Sequence, residues 1–176
     1  MNCFELVKEF DTNIPGIVVT QHIPPKFSEM FAERIDRQCR CTCKEAKTGD
    51  EVKPGQILIA PGDKQMRLVK VGNKYQVECR GEERVNGHCP SVDVLFESIA
   101  EIFQNRALGV IMTGMGKDGA VELAEMRKQG AWTLGQDEKS AIVYGMPKAA
   151  FERGLSDIQC DIRDMASIIV KELGVL

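Results

Sequence analysis

The chain has 176 residues, a formal net charge of −3, 28% charged and 43% hydrophobic residues. That balance belongs to an ordinary globular protein able to bury a core without disulfide staples, and it excludes a basic face for nucleic acid or an anionic membrane. No apolar run approaches the ~20 residues that cross a bilayer. The acids in "MNCFELVKEF" do not suit a secretory leader, so a cytoplasmic location is the default expectation.

In chain order, "FELVKEF" (4–10) reads as turns of an amphipathic helix, with Phe4, Val7 and Phe10 near one face. "GIVVT" (16–20) is a continuous apolar run, the mark of a strand buried on both faces. "KFSEMFAERIDRQC" follows with Phe27, Met30, Phe31 and Ile35 at helical spacing. Seven cysteines make an odd count, and the chain is too long for a disulfide framework. Cys39, Cys41 and Cys43 in "CRCTC" would share one face of a strand, so burial explains them and no metal site is assigned.

The runs "CTCKEA", "QILIAPGD" and "QMRLVKVGNKYQVECR" are short and broken by Gly, Pro, Asp and Asn. They suggest a β-rich insert whose clearest part is a hairpin across Gly72–Asn73. Helical periodicity returns in "SVDVLFESIAEIF", where Ser91 and Asp93 mark a helix start. "ALGVIMT" (107–113) is a second buried strand, "KDGAVELAEMRKQG" a helix and "AWTLGQ" a third strand. "MPKAAFERG" and "DIRDMASIIVKEL" are further helices, with "SDIQC" leading into the last. Strands alternating with helices predict an α/β fold: a doubly wound, mostly parallel sheet with flanking helices and a small β-hairpin insert.

In such sheets chemistry gathers beyond the carboxyl ends of the strands. One loop there is "TQHIPP", in which Pro24 and Pro25 stiffen the segment carrying His22. The other is "TGMGKDGA", whose Gly114, Gly116 and Gly119 allow positive φ or close approach. Asp118 lies near the start of the helix that follows, where its charge is favourable. Amides at that helix start could bind an anion, but Lys117 is followed by Asp rather than Ser or Thr, so a nucleotide or phosphate binder is only a third and weaker reading of this loop. A histidine and a carboxylate on two converging loops are two thirds of a nucleophile–base–acid constellation. His88, in "NGHCPS", reads as a loop residue ahead of a helix.

Taken together, "GIVVTQHIPPKFSEMFAERI", "GQILIAPGDKQM", "VNGHCPSVDVLFESIA", "GVIMTGMGKDGA" and "GAWTLGQDEKSAIVYGMPKAA" resemble the catalytic domain of the CheB-type chemotaxis protein-glutamate methylesterases, over residues 14 to 160. The resemblance implies hydrolysis of glutamate γ-methyl esters, and deamidation of glutamines, on chemoreceptor cytoplasmic domains. It implies a Ser–His–Asp triad with no metal or organic cofactor. By motif match the base falls on His22, the acid on Asp118, and one oxyanion-binding amide on Met115, in a loop with Gly114 and Gly116. The family's nucleophile sits on a Gly-Ala-Ser-Thr-Gly-Gly type loop after a first strand. Here that loop would fall before Met1, so the expectation is a methylesterase-like domain over residues 1–176 that lacks the first strand, the nucleophile and the receiver domain. Cys3, Thr20, Ser28 and Thr113 are the nearest hydroxyls and thiols, and none has a reason to face His22. Two readings follow: a methylesterase domain inactive alone, or a non-catalytic receptor-binding or regulatory module. An exposed central sheet edge would also favour self-association.

Overall fold

A computed structural model describes residues 2–154 and 156–175. Its frame is two three-stranded parallel sheets and one antiparallel hairpin, flanked by helices. The first sheet has β1 (Ile17–Val19) and β2 (Thr42–Glu45) on either side of β3 (Gln56–Ile59). β3 is apolar on both faces because both are covered: Ile57 and Ile59 enter one core and Leu58 the other. β4 (Gln65–Val71) and β5 (Lys74–Arg80) form the hairpin, and Gly72 takes the positive φ of 60° that its tight turn requires. The second sheet places β7 (Trp132–Gln136) between β6 (Leu108–Ile111) and β8 (Ile158–Cys160).

Helices α1 (Asn2–Val7), α2 (Phe27–Gln38) and α6 (Ile162–Leu173) cover one face, joining Phe4, Phe31, Ile35 and Met165 to Ile57 and Leu134. Helices α3 (Val92–Phe103), α4 (Ala120–Lys128) and α5 (Met146–Glu152) cover the other, joining Leu95, Leu123 and Ala150 to Leu58 and Ile111. Both cores therefore run across both sheets, and the sheets lie side by side. Among the described residues β1 has a ladder only with β3, and β6 only with β7. Ile17, Val18 and Val19 are only half-buried although both faces of β1 pack, because among the described residues no strand pairs with its other edge.

The α/β class stands, with four local corrections. β2 and β3 belong to the parallel frame, so only the β4–β5 hairpin is an insert. "SDIQC" contributes a strand, β8. Only Cys43 of "CRCTC" lies within β2, while Cys39 ends α2, so the three thiols do not share a strand face. Phe27 and Met30 are each 60% exposed, because the buried stripe of α2 runs through Phe31, Ala32 and Ile35.

Candidate active site

The parallel strands send the loops after β1, β3 and β6 to one end, where the first meets both of the others. His22, three residues past β1, points Nε2 at Asp118 Oδ2 across 2.7 Å. Asp118 is fully enclosed and the imidazole 23% exposed. Gly62, after β3, sets the height of the His22 loop. A Cβ there would stand 2.2 Å from Pro25 N and 2.4 Å from Pro24 C, so only glycine lets the two backbones approach this closely. The Gly62 N–H donates to Ser28 Oγ at 2.9 Å, and that hydroxyl donates to Glu45. Loop, helix α2 and strand β2 are thus tied together behind His22.

Asp118 is held from the far side. Val92 N–H donates to its Oδ2 at 2.7 Å, while Ser91 Oγ at 2.7 Å and Asp93 N–H at 3.3 Å donate to its Oδ1. Burial by itself would raise its pKa, but the hydrogen bonds from His22, Ser91, Val92 and Asp93 outweigh that and hold the carboxyl well below its usual range. It is therefore ionised near neutrality and accepts from His22. The proton of a neutral His22 then lies on Nε2, which leaves the lone pair on Nδ1.

The sequence places Asp118 beside the start of α4, yet its charge faces the N-terminus of α3. The two helices exchange acids: Asp118 serves α3, and Asp93 Oδ1 accepts from Gly119 N–H at 3.1 Å and Glu122 N–H at 3.3 Å on α4. Burial pushes the Asp93 pKa up, and those amides offset part of the rise. The Gly119, Ala120 and Glu122 amides at the start of α4, candidates for an external anion, are therefore engaged inside the protein, which counts against a phosphate-loop reading.

The loop carrying Met115 is clamped between β6 and α5. Gly114 N–H donates to Val143 O, and Gly114 O accepts from Gly145 and Met146 N–H. Gly116 has a φ of 91°. Gly114 lies so close to α5 that a Cβ would meet Met146 Sδ at 2.4 Å. Met115 is 82% exposed, and its N–H has no acceptor among the described residues.

Residues not assigned from the sequence complete the site. His88 is more than a loop residue: its ring stacks on His22 with centroids 3.8 Å apart and planes within 7°. Asn86 and Gly87, both with positive φ, form a two-residue turn closed by paired Val85–His88 backbone bonds. Asn86 Nδ2 donates to Asp93 and, at 3.5 Å, to Asp118. Gln65, from the hairpin, donates to His88 O at 3.1 Å and accepts from Ser91 N–H at 2.8 Å. The Asn-Gly pair was the available signal for this turn; nothing in the sequence spacing linked Gln65 to it. Between the loops lies a cavity of about 290 Å³, lined by both imidazoles, Pro24, Pro25, Asp63, Arg84 and Cys89.

His22, His88 and Asp118 offer atoms within 4.8 Å of one another, close enough to suggest a metal site. The geometry argues against one. Rings stacked with centroids 3.8 Å apart and planes within 7° hold their in-plane lone pairs in two nearly parallel planes, whereas an ion shared at about 2.0–2.1 Å must lie near both planes at once. Both carboxylate oxygens are also engaged by protein donors.

Among the described residues, no hydroxyl or thiol is hydrogen-bonded to His22 Nδ1. Thr113 Oγ1 exchanges hydrogen bonds with Val143. Ser28 is committed to Glu45 and Gly62. Thr20 Oγ1 is enclosed and out of reach of a substrate. Burial, with Cys39 nearby, pushes the Cys3 thiol up to about 12, where it is a poor nucleophile.

Comparison with known proteins places the chain in a family. The CheB methylesterase family matches residues 2–169. A protein-glutamate methylesterase/protein-glutamine glutaminase of Syntrophomonas wolfei is 49% identical over 173 residues, 98% of this chain and 51% of that protein. One from Albidiferax ferrireducens is 58% identical over 140 residues, 80% of this chain and 41% of that protein. The chain thus spans about half the length, or less, of these relatives. The crystal structure of the Thermotoga maritima CheB methylesterase catalytic domain superposes with a TM-score of 0.94 at 32% identity, covering 97% of this chain and 91% of that one. Fold, loop sequences and relatives agree, and the chain belongs to the CheB methylesterase family.

Proposed function

We propose that this chain is the base-and-acid portion of a protein-glutamate methylesterase acting on chemoreceptors, hydrolysing glutamate γ-methyl esters and deamidating glutamines. The observation that carries the reading is the 2.7 Å contact between His22 Nε2 and an enclosed, ionised Asp118 at the carboxyl ends of the strands. Nδ1 of His22 removes the proton of a hydroxyl attacking the γ-carbonyl. The carbonyl π pair moves to oxygen, and the Met115 N–H, which has no acceptor among the described residues, stabilises that charge. When the tetrahedral intermediate collapses, His22 returns the proton to the departing methanol or ammonia. Water then repeats the sequence on the acyl-enzyme. Asp118 stays ionised and stabilises the imidazolium. The chemistry closes with these groups and one added hydroxyl, which the family resemblance assigns to a serine loop upstream in sequence. A cytoplasmic location goes with this reading.

Methanol release from methylated receptor tests it. This polypeptide alone should release methanol at no more than background, and a chain extended upstream through a serine loop should release it catalytically. An extended chain that binds receptor without turnover would favour the receptor-binding module instead.

The edges of β1 and β6 that have no ladder among the described residues support a second part of the proposal, that the polypeptide self-associates through them. Sedimentation should show dimers or larger species growing with concentration. A monomer at every concentration would end this idea and leave the catalytic reading untouched.

A further inference from the structure

We propose that His88 is a positioning residue that fixes the plane of the His22 imidazole by stacking on it, an inference that rests on reading His22 as the base. A hydrogen bond from Nε2 to Asp118 pins one ring atom and leaves the ring free to tilt about it. The direction of Nδ1, joined to Nε2 through Cε1, depends on that tilt. The flat face of His88 removes this freedom, with centroids 3.8 Å apart and planes within 7°.

His88 is itself built to be rigid. Its N–H and C=O both bond Val85, its C=O also accepts from the buried Gln65, and Arg84 donates to the carbonyl of Gly87 next to it. By contrast the His22 side chain has, among the described residues, one hydrogen bond, to Asp118, and 23% exposure. The tethered histidine thus supports the reactive one.

The charge state suits the role. Burial lowers the His88 pKa, repulsion from His22 and Arg84 lowers it further, and Asp118 opposes the change. Cys89 and Asp63 line the adjoining cavity and complete the set of titratable neighbours. A neutral ring is therefore what His22 meets when it becomes an imidazolium during turnover. A second cation stacked at 3.8 Å would repel it.

The test needs no catalysis and uses this polypeptide. The Nε2 proton shared between His22 and Asp118 should give a far-downfield proton resonance, whose exchange with water reports how often the ring leaves its place. His88→Phe keeps the stack and His88→Ala removes it. The expected result is a wild-type exchange rate in the Phe variant. In the Ala variant exchange should be roughly five- to tenfold faster, about 1–1.4 kcal/mol, the size of an aromatic stack. If His88→Ala loses the wild-type amide spectrum, His88→Leu, which fills volume without a flat ring, should show the same acceleration. Exchange within twofold of wild type in the Ala or Leu variant overturns the proposal, as does a Phe variant as fast as Ala. Absence of the resonance from the folded wild type would overturn the His22–Asp118 pairing itself, and that failure is distinct because it appears before any change at His88.

Discussion

In a chain completed by a nucleophile, His22→Ala should lower kcat by about 10⁶ and Asp118→Ala by about 10⁴, the sizes seen when a base or its orienting acid is removed from a serine protease triad. The asymmetry follows from the geometry. His22 moves the proton, so nothing replaces it. Asp118 holds the Nε2 proton in place and offsets the imidazolium charge, and an imidazole without it still reaches the right place part of the time. The double variant should be no worse than His22→Ala alone, because groups that act as a unit lose their effect together. Asp118→Ala also leaves Ser91, Val92 and Asp93 without their acceptor, so part of its cost is to the start of α3. Asp118→Asn separates the two effects: it keeps one acceptor for those amides yet lacks the charge, so it should be the more stable variant while staying within about tenfold of Asp118→Ala in turnover. Methanol release on methylated receptor measures the rates and thermal melting the stability. Turnover within tenfold of wild type in His22→Ala or Asp118→Ala would remove that residue from the mechanism.

Gly62→Ala should destabilise the fold by about 2–3 kcal/mol, at the upper end of ordinary overpacking. The added carbon would lie 2.2 Å from Pro25 N, 2.4 Å from Pro24 C and 2.8 Å from Pro25 Cα. None of these is the end of a flexible side chain. Two consecutive prolines cannot swing aside by turning φ, so the strain passes to Gln21–Ile23 and lifts His22 from Asp118. Urea unfolding of this polypeptide measures the loss, and the His22 downfield proton should broaden in the same variant. A midpoint indistinguishable from wild type would show that the Pro24–Pro25 segment yields freely and does not position His22.

Several features were legible locally. The apolar runs at 16–20 and 107–113 contain β1 and β6, because strands covered on both faces need apolar side chains on both. The stripe Val92, Leu95, Phe96, Ile99 marked α3 because one side of that helix meets the core. α2 was read less well: Phe27 and Met30 lie on the flank of the buried stripe, which includes Ser28 in the same first turn and continues through Phe31, Ala32 and Ile35. An apolar residue close to the helical period need not lie on the face that the fold covers.

By itself the sequence determined the α/β class, the helices and most of the strands, the hairpin turn at Gly72, and the two loops that carry His22 and Asp118, since each of these follows from residues near one another in the chain. Only the tertiary structure decided that those loops touch, that Asp118 serves α3 while Asp93 serves α4, and that His88 lies flat on His22. Those contacts join residues that are 25 to 96 positions apart. Their energies depend on burial and on the meeting of helix ends, quantities that no short stretch of chain contains.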